Sequence, residues 1–167
     1  MPTPYDLVTS VTHPQPGTKA DLLRITRGLE TEALQTRPTR IRAALQDVRH
    51  VTAATRLVYA DFAARRIDVA LLAQGLPAHV ATGVRGVDLA EDDPLIDQWC
   101  LVVAGGARPV VLAATDLHEP VGSELDRSFT YAVSRDPSVV AACLAVLGDP
   151  ALGDGTLGDP ALTDGAR

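Results

Sequence analysis

Aromatic residues are scarce in this chain. One Trp, two Phe and three Tyr make up 4% of its 167 residues. Proteins that bind single-stranded nucleic acid stack bases on exposed rings, so this composition argues against that class. Positive charge is in deficit too: 15 Lys and Arg face 21 Asp and Glu, for a formal net charge of −6. A duplex-DNA binder carries a basic stripe, so no direct contact with nucleic acid is expected. Ten of the basic residues lie between Lys19 and Arg66, which fits a basic face or a solvated helix surface equally.

Cysteine is nearly absent. Cys100 and Cys143 are far apart, with no CxxC or Cys/His spacing, so zinc and redox motifs are unsupported and two buried thiols are expected. His13, His50, His79 and His118 show no metal-ligand spacing and read as satisfied or exposed loop residues. No apolar run approaches the roughly 20 residues of a membrane span. The first residues, MPTPYDLVTS, lack a charged region followed by an apolar one, so no signal peptide is expected. The location these absences imply is cytoplasmic. The P-loop, the GxGxxG fingerprint and the nucleophile elbow are also missing, so no cofactor is expected and catalytic residues stay unknown.

The chain is long enough for one domain with a sizeable core. Its most strand-like stretch is Asp92–Leu117. Gln98–Ala104 and Pro109–Ala114 read as two strands, rich in Val and Leu on both faces and so covered on both sides. Gly105-Gly106 supplies the positive φ of a tight hairpin between them. Residues 1–17, with four prolines and a glycine, read as an extended N-terminal arm. Thr18 reads as the N-cap of an amphipathic helix over 19–35, with Asp21 completing a capping box.

Thr39–Leu45 alternates Arg40 and Arg42 with Ile41 and Ala43, the pattern of an edge strand with one wet face. A helix over about 53–65 would bury Leu57, Val58, Ala60, Phe62 and Ala63. Ile67–Ala73 is a buried strand, Gly83–Leu89 a short one, and Ser128–Val133 another. Pro137 opens a last helix over 136–147. The expected architecture is a single α/β domain over residues 18–148: a mixed central sheet of about five or six strands covered by three main helices. Residues 149–167 continue a five-residue repeat, GDPAL, GDGTL, GDPAL, TDGAR, and read as a flexible acidic tail without a metal site.

Four segments in order carry a family resemblance: TKADLLRITRGLETEAL, DVALLAQGLP, GVRGVDLAEDDPLIDQWCLVVAGG and RSFTYAVSRDPSVVAACLAVL. Together they resemble the DICT sensory domain, named for diguanylate cyclases and two-component systems. The resemblance spans about residues 12–147. Its most specific parts are the Asp93 to Trp99 block and the end from Phe129 to Arg135-Asp136. In that family the domain is joined to outputs such as cyclic-dinucleotide enzymes, kinases or helix-turn-helix regulators. The resemblance implies a sensor of a small-molecule ligand. Without an output domain in the sequence, the expectation is a standalone domain that acts on a separate regulator or kinase. The alternative is a small enzyme of a specialised biosynthetic pathway that reuses the fold. The chain departs from the family at Ala44-Leu45-Gln46, where members commonly carry a Phe-Gln pair.

Five residues are candidates for a ligand site. Lys19 matches a Lys of the family pattern and opens the first long helix. It suits an acidic ligand as a point charge, or is a solvated helix residue. Glu30 lies eleven residues on, three turns later on the same face. It would contact another part of the ligand, or be a surface acid near Arg27. Gln46 ends a strand, where α/β sheets place ligands. Trp99 and Tyr131 are rings that wall a pocket or fill the core. Asp92, Asp93 and Asp97 form an acidic cluster, simplest as a cap and first turn around Pro94.

Overall fold

A computed structural model describes residues 1–148. The acidic tail expected at 149–167 lies outside the described residues. The chain forms helix α1 (Pro4–Thr9), strand β1 (Gln15–Thr18), helix α2 (Lys19–Thr36), strand β2 (Arg40–Asp47), helix α3 (Ala53–Ala64) and strand β3 (Asp68–Gln74). It continues through β4 (His79–Ala81), β5 (Val84–Asp88), β6 (Gln98–Ala104), β7 (Val110–Asp116), β8 (Ser128–Ser134) and helix α4 (Pro137–Val146). Among the described residues no helix is long and apolar enough to cross a membrane.

The strands make one mixed sheet in the order β1-β8-β7-β6-β2-β3-β5-β4. The pairs β2–β3 and β3–β5 are parallel, and the others are antiparallel. The α/β class with one mixed sheet therefore stands, but the sheet has eight strands rather than five or six. The added strands are the edges β1 and β4, whose Pro, Gly and short length hide any alternation. The three main helices are α2, α3 and α4, and α1 is a short fourth. It falls in the segment expected as an extended arm. Pro4 suits a first helical turn, and Thr3 and Asp6 close a reciprocal capping box.

A further correction concerns β2. It lies between β6 and β3, not at an edge, and Arg42 is fully buried within it. Burial of the guanidinium is tolerated because Asp68 on β3 accepts from Arg42 Nη2 at 2.7 Å, and the Asp68 carbonyl accepts from Nη1 at 2.9 Å. Arg85 joins Asp68 from β5.

Alternate residues serve opposite faces of the sheet. Ile41, Ala43, Val69, Leu71, Leu101, Val103 and Leu112 face α2 and α3, which contribute Leu22, Leu29, Ala33, Tyr59 and Phe62. Ala44, Leu72, Cys100, Val102, Val111 and Ala113 face α1 and α4, which contribute Val8, Val139, Val140 and Cys143. All seven residues of β6 are buried, as its two-sided apolar sequence predicts. Gly106 turns the β6–β7 hairpin at φ +70, and a Cβ there would lie 2.4 Å from the carbonyl oxygen of Thr36 at the end of α2.

Candidate functional site

The helix α2 begins where β1 ends. Thr18 accepts from the Asp21 N–H and the Asp21 carboxylate accepts from the Thr18 N–H at 2.9 Å, so the chain turns into the helix at Lys19. The face of α2 carrying Leu23, Thr26, Glu30 and Leu34 borders a cavity of about 780 Å³. Val58, Tyr59 and Phe62 of α3 form the opposite wall, and Leu45 of β2 and Trp99 of β6 form the floor. Arg49 and His50, from the turn after β2, and Glu124-Leu125, from the loop before β8, stand at one end.

Two polar pairs sit within the apolar walls. The Trp99 indole N–H donates to Thr26 Oγ1 at 3.2 Å. The Tyr59 hydroxyl donates to Glu30 Oε1 at 2.9 Å. Burial raises the Glu30 carboxyl above its ordinary range, against the opposing pull of the Tyr59 hydroxyl and the Arg27 charge. Burial and the adjoining carboxylate likewise push the Tyr59 phenol well above its usual value.

The charged end centres on Lys19, whose side chain is 9% exposed. Its ammonium donates to Glu124 Oε1 at 2.7 Å and lies 3.1 Å from His50 Nδ1. Burial first, then the Lys19 and Arg127 charges, lower His50 to about 4, so the imidazole is neutral at physiological pH. An ammonium only donates. Nδ1 is therefore the acceptor from Lys19, while Nε2 lies 3.4 Å from Arg127 Nη1, a second group that only donates. Glu124 Oε1 also accepts from Arg127 Nη1 at 2.8 Å, and the hydrogen bonds from Lys19 and Arg127 hold this carboxyl down at about 2.

Arg127 ties this end to a second, polar cavity of about 390 Å³ around Gln46, Gln74, Asp97, Asp116 and His118. Arg49, His50 and Glu124 line both spaces. Arg127 Nη2 donates to Gln46 Oε1 at 3.2 Å and to Asp116, while the guanidinium lies 5.4 Å from the centre of the Phe129 ring. Burial works against the Asp116 carboxylate, but the His118 N–H and Arg127 prevail and keep its pKa lowered. Gln46 has φ +66 at the point where the β2–β3 register shifts. This bulge belongs to a type of irregularity found next to binding sites, where it re-aims a side chain.

The cavity thus brings together three of the five sequence candidates: Lys19, Glu30 and Trp99. Gln46 stands in the adjoining polar space, linked to them through Arg127. Tyr131 lines neither cavity. It lies on β8 against β1, its ring packed against Gly17 and its hydroxyl 3.4 Å from Gln15. The anionic partner that a buried Lys19 requires is Glu124 of the chain itself. Sequence reasoning passed over His50, Tyr59, Asp116, Glu124 and Arg127. The spacing of His50 carries no signal, and the acids of the 116–126 loop read as polar loop chemistry. Among the described residues no group of three or more His, Cys, Asp or Glu is placed to hold a metal ion.

Comparison of the chain with protein-family models, with curated proteins and with solved structures yields no match.

Proposed function

We propose that this chain is a small-molecule-binding domain of the sensory kind, which reports occupancy of the α2–α3 cavity to a separate regulator or kinase in the cytoplasm. The observation that carries the reading is the cavity. At about 780 Å³, with an apolar floor, a charged cluster at one end and the Glu30–Tyr59 pair in its walls, it has the size of a ligand pocket. The quoted segments that resemble the DICT sensory domain support the same reading. Leu45 departs from the family here: where members commonly have Phe, this chain has a smaller residue in the cavity floor, which leaves room for a standalone role of either kind.

The test is equilibrium dialysis of the purified protein against a metabolite extract, with bound compounds identified by mass spectrometry. The expected result is a compound enriched by the protein but less so by a Leu23→Trp variant, whose larger side chain projects into the cavity. Equal recovery from both proteins would reject the α2–α3 cavity as the site.

One observation favours a small cofactor-independent enzyme as the second reading. A carboxyl with raised pKa beside a buried phenol, as in Glu30 and Tyr59, is a general acid–base arrangement. Recovery of the bound compound chemically unchanged supports sensing. Its conversion by the wild type but not by Glu30→Gln supports catalysis.

A further inference from the structure

Resting on the reading of the α2–α3 cavity as a ligand site, we infer that its ligand is an elongated, mostly apolar monocarboxylic acid whose head group takes the place of Glu124 between Lys19 and Arg127.

The chain itself displays the head-group geometry. A single carboxylate oxygen, Glu124 Oε1, accepts from Lys19 Nζ at 2.7 Å and from Arg127 Nη1 at 2.8 Å. The two cations are held from behind. Lys19 is nearly buried, and its backbone N–H donates to the Arg127 carbonyl at 2.9 Å, while Arg127 is bonded to Asp116 and Gln46. The carboxylate they clasp is the mobile choice among these groups by exposure: the Glu124 side chain is 57% exposed, on a loop that also leaves Leu117, Val121 and Leu125 outside the core. Leu125 borders the cavity beside Glu124, so displacement of this carboxylate opens the charged end to the apolar space.

Charge balance selects the head group. Among the groups in direct contact, Lys19 and Arg127 supply two positive charges and Asp116 and Glu124 two negative ones, while Arg49 at the same end is paired with Asp47 at 3.7 Å. A monoanion replacing Glu124 preserves the balance, whereas a phosphate dianion leaves an excess negative charge in a partly desolvated site. Glu30 fixes the direction. It lies about 16 Å along α2 from Lys19 at 1.5 Å per residue, and its carboxyl disfavours an anion at that end. The apolar body therefore runs along the wall of Leu23, Val58 and Phe62 toward Glu30, which can meet a terminal hydroxyl or amine.

Trp99, the only Trp of the chain, lies in the cavity floor and reports binding by its fluorescence. The full-length protein is titrated with decanoate, decanol and decyl phosphate below their aggregation limits. Decanoate is expected to bind at least about tenfold more tightly than decanol, with decyl phosphate weaker than decanoate. Lys19→Met should reduce decanoate to the level of decanol. Glu124→Gln, which removes the competing carboxylate, should tighten decanoate several-fold relative to decanol, with circular dichroism used to check that the variant is folded. Removal of an acid that merely props the loop would not strengthen anion binding. If decanoate and decanol bind equally and Glu124→Gln changes neither, the head-group inference is wrong while the cavity remains a binding site. If none of the three alters Trp99 fluorescence or binds by calorimetry, the reading of the cavity falls with it.

Discussion

The two faces of the sheet are built from the same strands, residue by alternate residue, yet they are covered differently. On one face α1 and α4 touch each other as well as β6 and β7, and Val8, Val139, Val140 and Cys143 close over the small residues Ala44, Cys100 and Ala113. On the other face α2 and α3 each dock on the sheet but barely meet, and the space between them is the cavity. A solvent-open cleft buries less apolar surface than a closed face does, as the partly exposed Leu34 and Val58 on its walls show. Retaining one beside a buried Lys and a desolvated Glu gives up stability on a single face. Local stability is lowest where binding elements must adjust. The contrast separates a closed α1–α4 face, which holds the fold, from an open α2–α3 face, which on the proposed reading holds the ligand.

The largest expected effect comes from placing a charge on each face. Val140→Asp buries an unpaired carboxylate under α4 and should cost about 3–5 kcal/mol in urea unfolding. Val58→Asp, on the rim of the cavity, should cost less than about 1 kcal/mol. Equal losses would break the comparison. A smaller effect comes from added volume. Ala113 is fully buried on the closed face, so Ala113→Leu should cost about 1–3 kcal/mol by overpacking. Leu45→Phe projects its extra atoms into open space, and its effect on stability should stay below about 1 kcal/mol. Its effect on ligand uptake should be a clear loss. A large destabilisation by Leu45→Phe would show that the cavity is less open than its lining implies.

How far each face is legible in the sequence follows from how local its interactions are. The strands β3, β6 and β7 are readable because each carries a continuous apolar run, and α2 because Thr18, Asp21 and the Leu22–Leu29–Ala33 spacing all lie within one segment. Arg42 misleads because its alternation with Ile41 and Ala43 copies a wet edge, while the acid that permits its burial stands 26 residues away on β3. In α3 the expected inward residue Leu57 is 73% exposed, and Tyr59 turns inward instead to meet Glu30, a pairing no local period encodes. The candidate site divides in the same way. Lys19 stands out as the only Lys, Trp99 as the only Trp, and Glu30 by its helical spacing from Lys19. His50, Glu124 and Arg127 join them only through contacts spanning 31 to 105 residues of chain. Tyr131 shares the inward alternation of Phe129, but it meets the edge strand β1 rather than the cavity.

Acid should weaken the open face first. The His50 imidazole has its pKa lowered from 6.5 to about 4 in the folded chain. Between those values the unfolded chain binds the proton and the folded chain does not, so stability falls as pH drops from 6.5 to 4. After allowance for partial solvent screening, the loss is on the order of 1 kcal/mol. His50→Gln, which keeps an acceptor for Lys19, should flatten this slope in unfolding curves taken at several pH values. The thiols of the closed face are silent in this window, since burial raises Cys143 to about 11 and Cys100 well above its usual value. A slope that survives His50→Gln would place the titrating group elsewhere.

The smallest effect is expected at Glu30, and its sign is opposite to that of His50. Burial raises the folded-state pKa of this carboxyl above 4.5, so the folded chain holds the proton more tightly than the unfolded chain does. Its favourable contribution is complete below 4.5 and is lost as pH rises through the folded value. Above the folded-state pKa the carboxylate is charged in an apolar wall, with the Tyr59 hydroxyl as a partial compensation. Glu30→Gln keeps an oxygen for Tyr59 and removes the charge. It should therefore stabilise the protein at pH 7 by about 1 kcal/mol or less. The gain should vanish below pH 4.5, where the wild-type carboxyl is protonated. Paired urea titrations of the wild type and the variant at pH 7 and pH 4 measure both halves of this expectation. A variant less stable than the wild type at pH 7 would mean that Glu30 supports the wall between α2 and α3. The open face would then be held by its polar groups as firmly as the closed face is by its apolar ones.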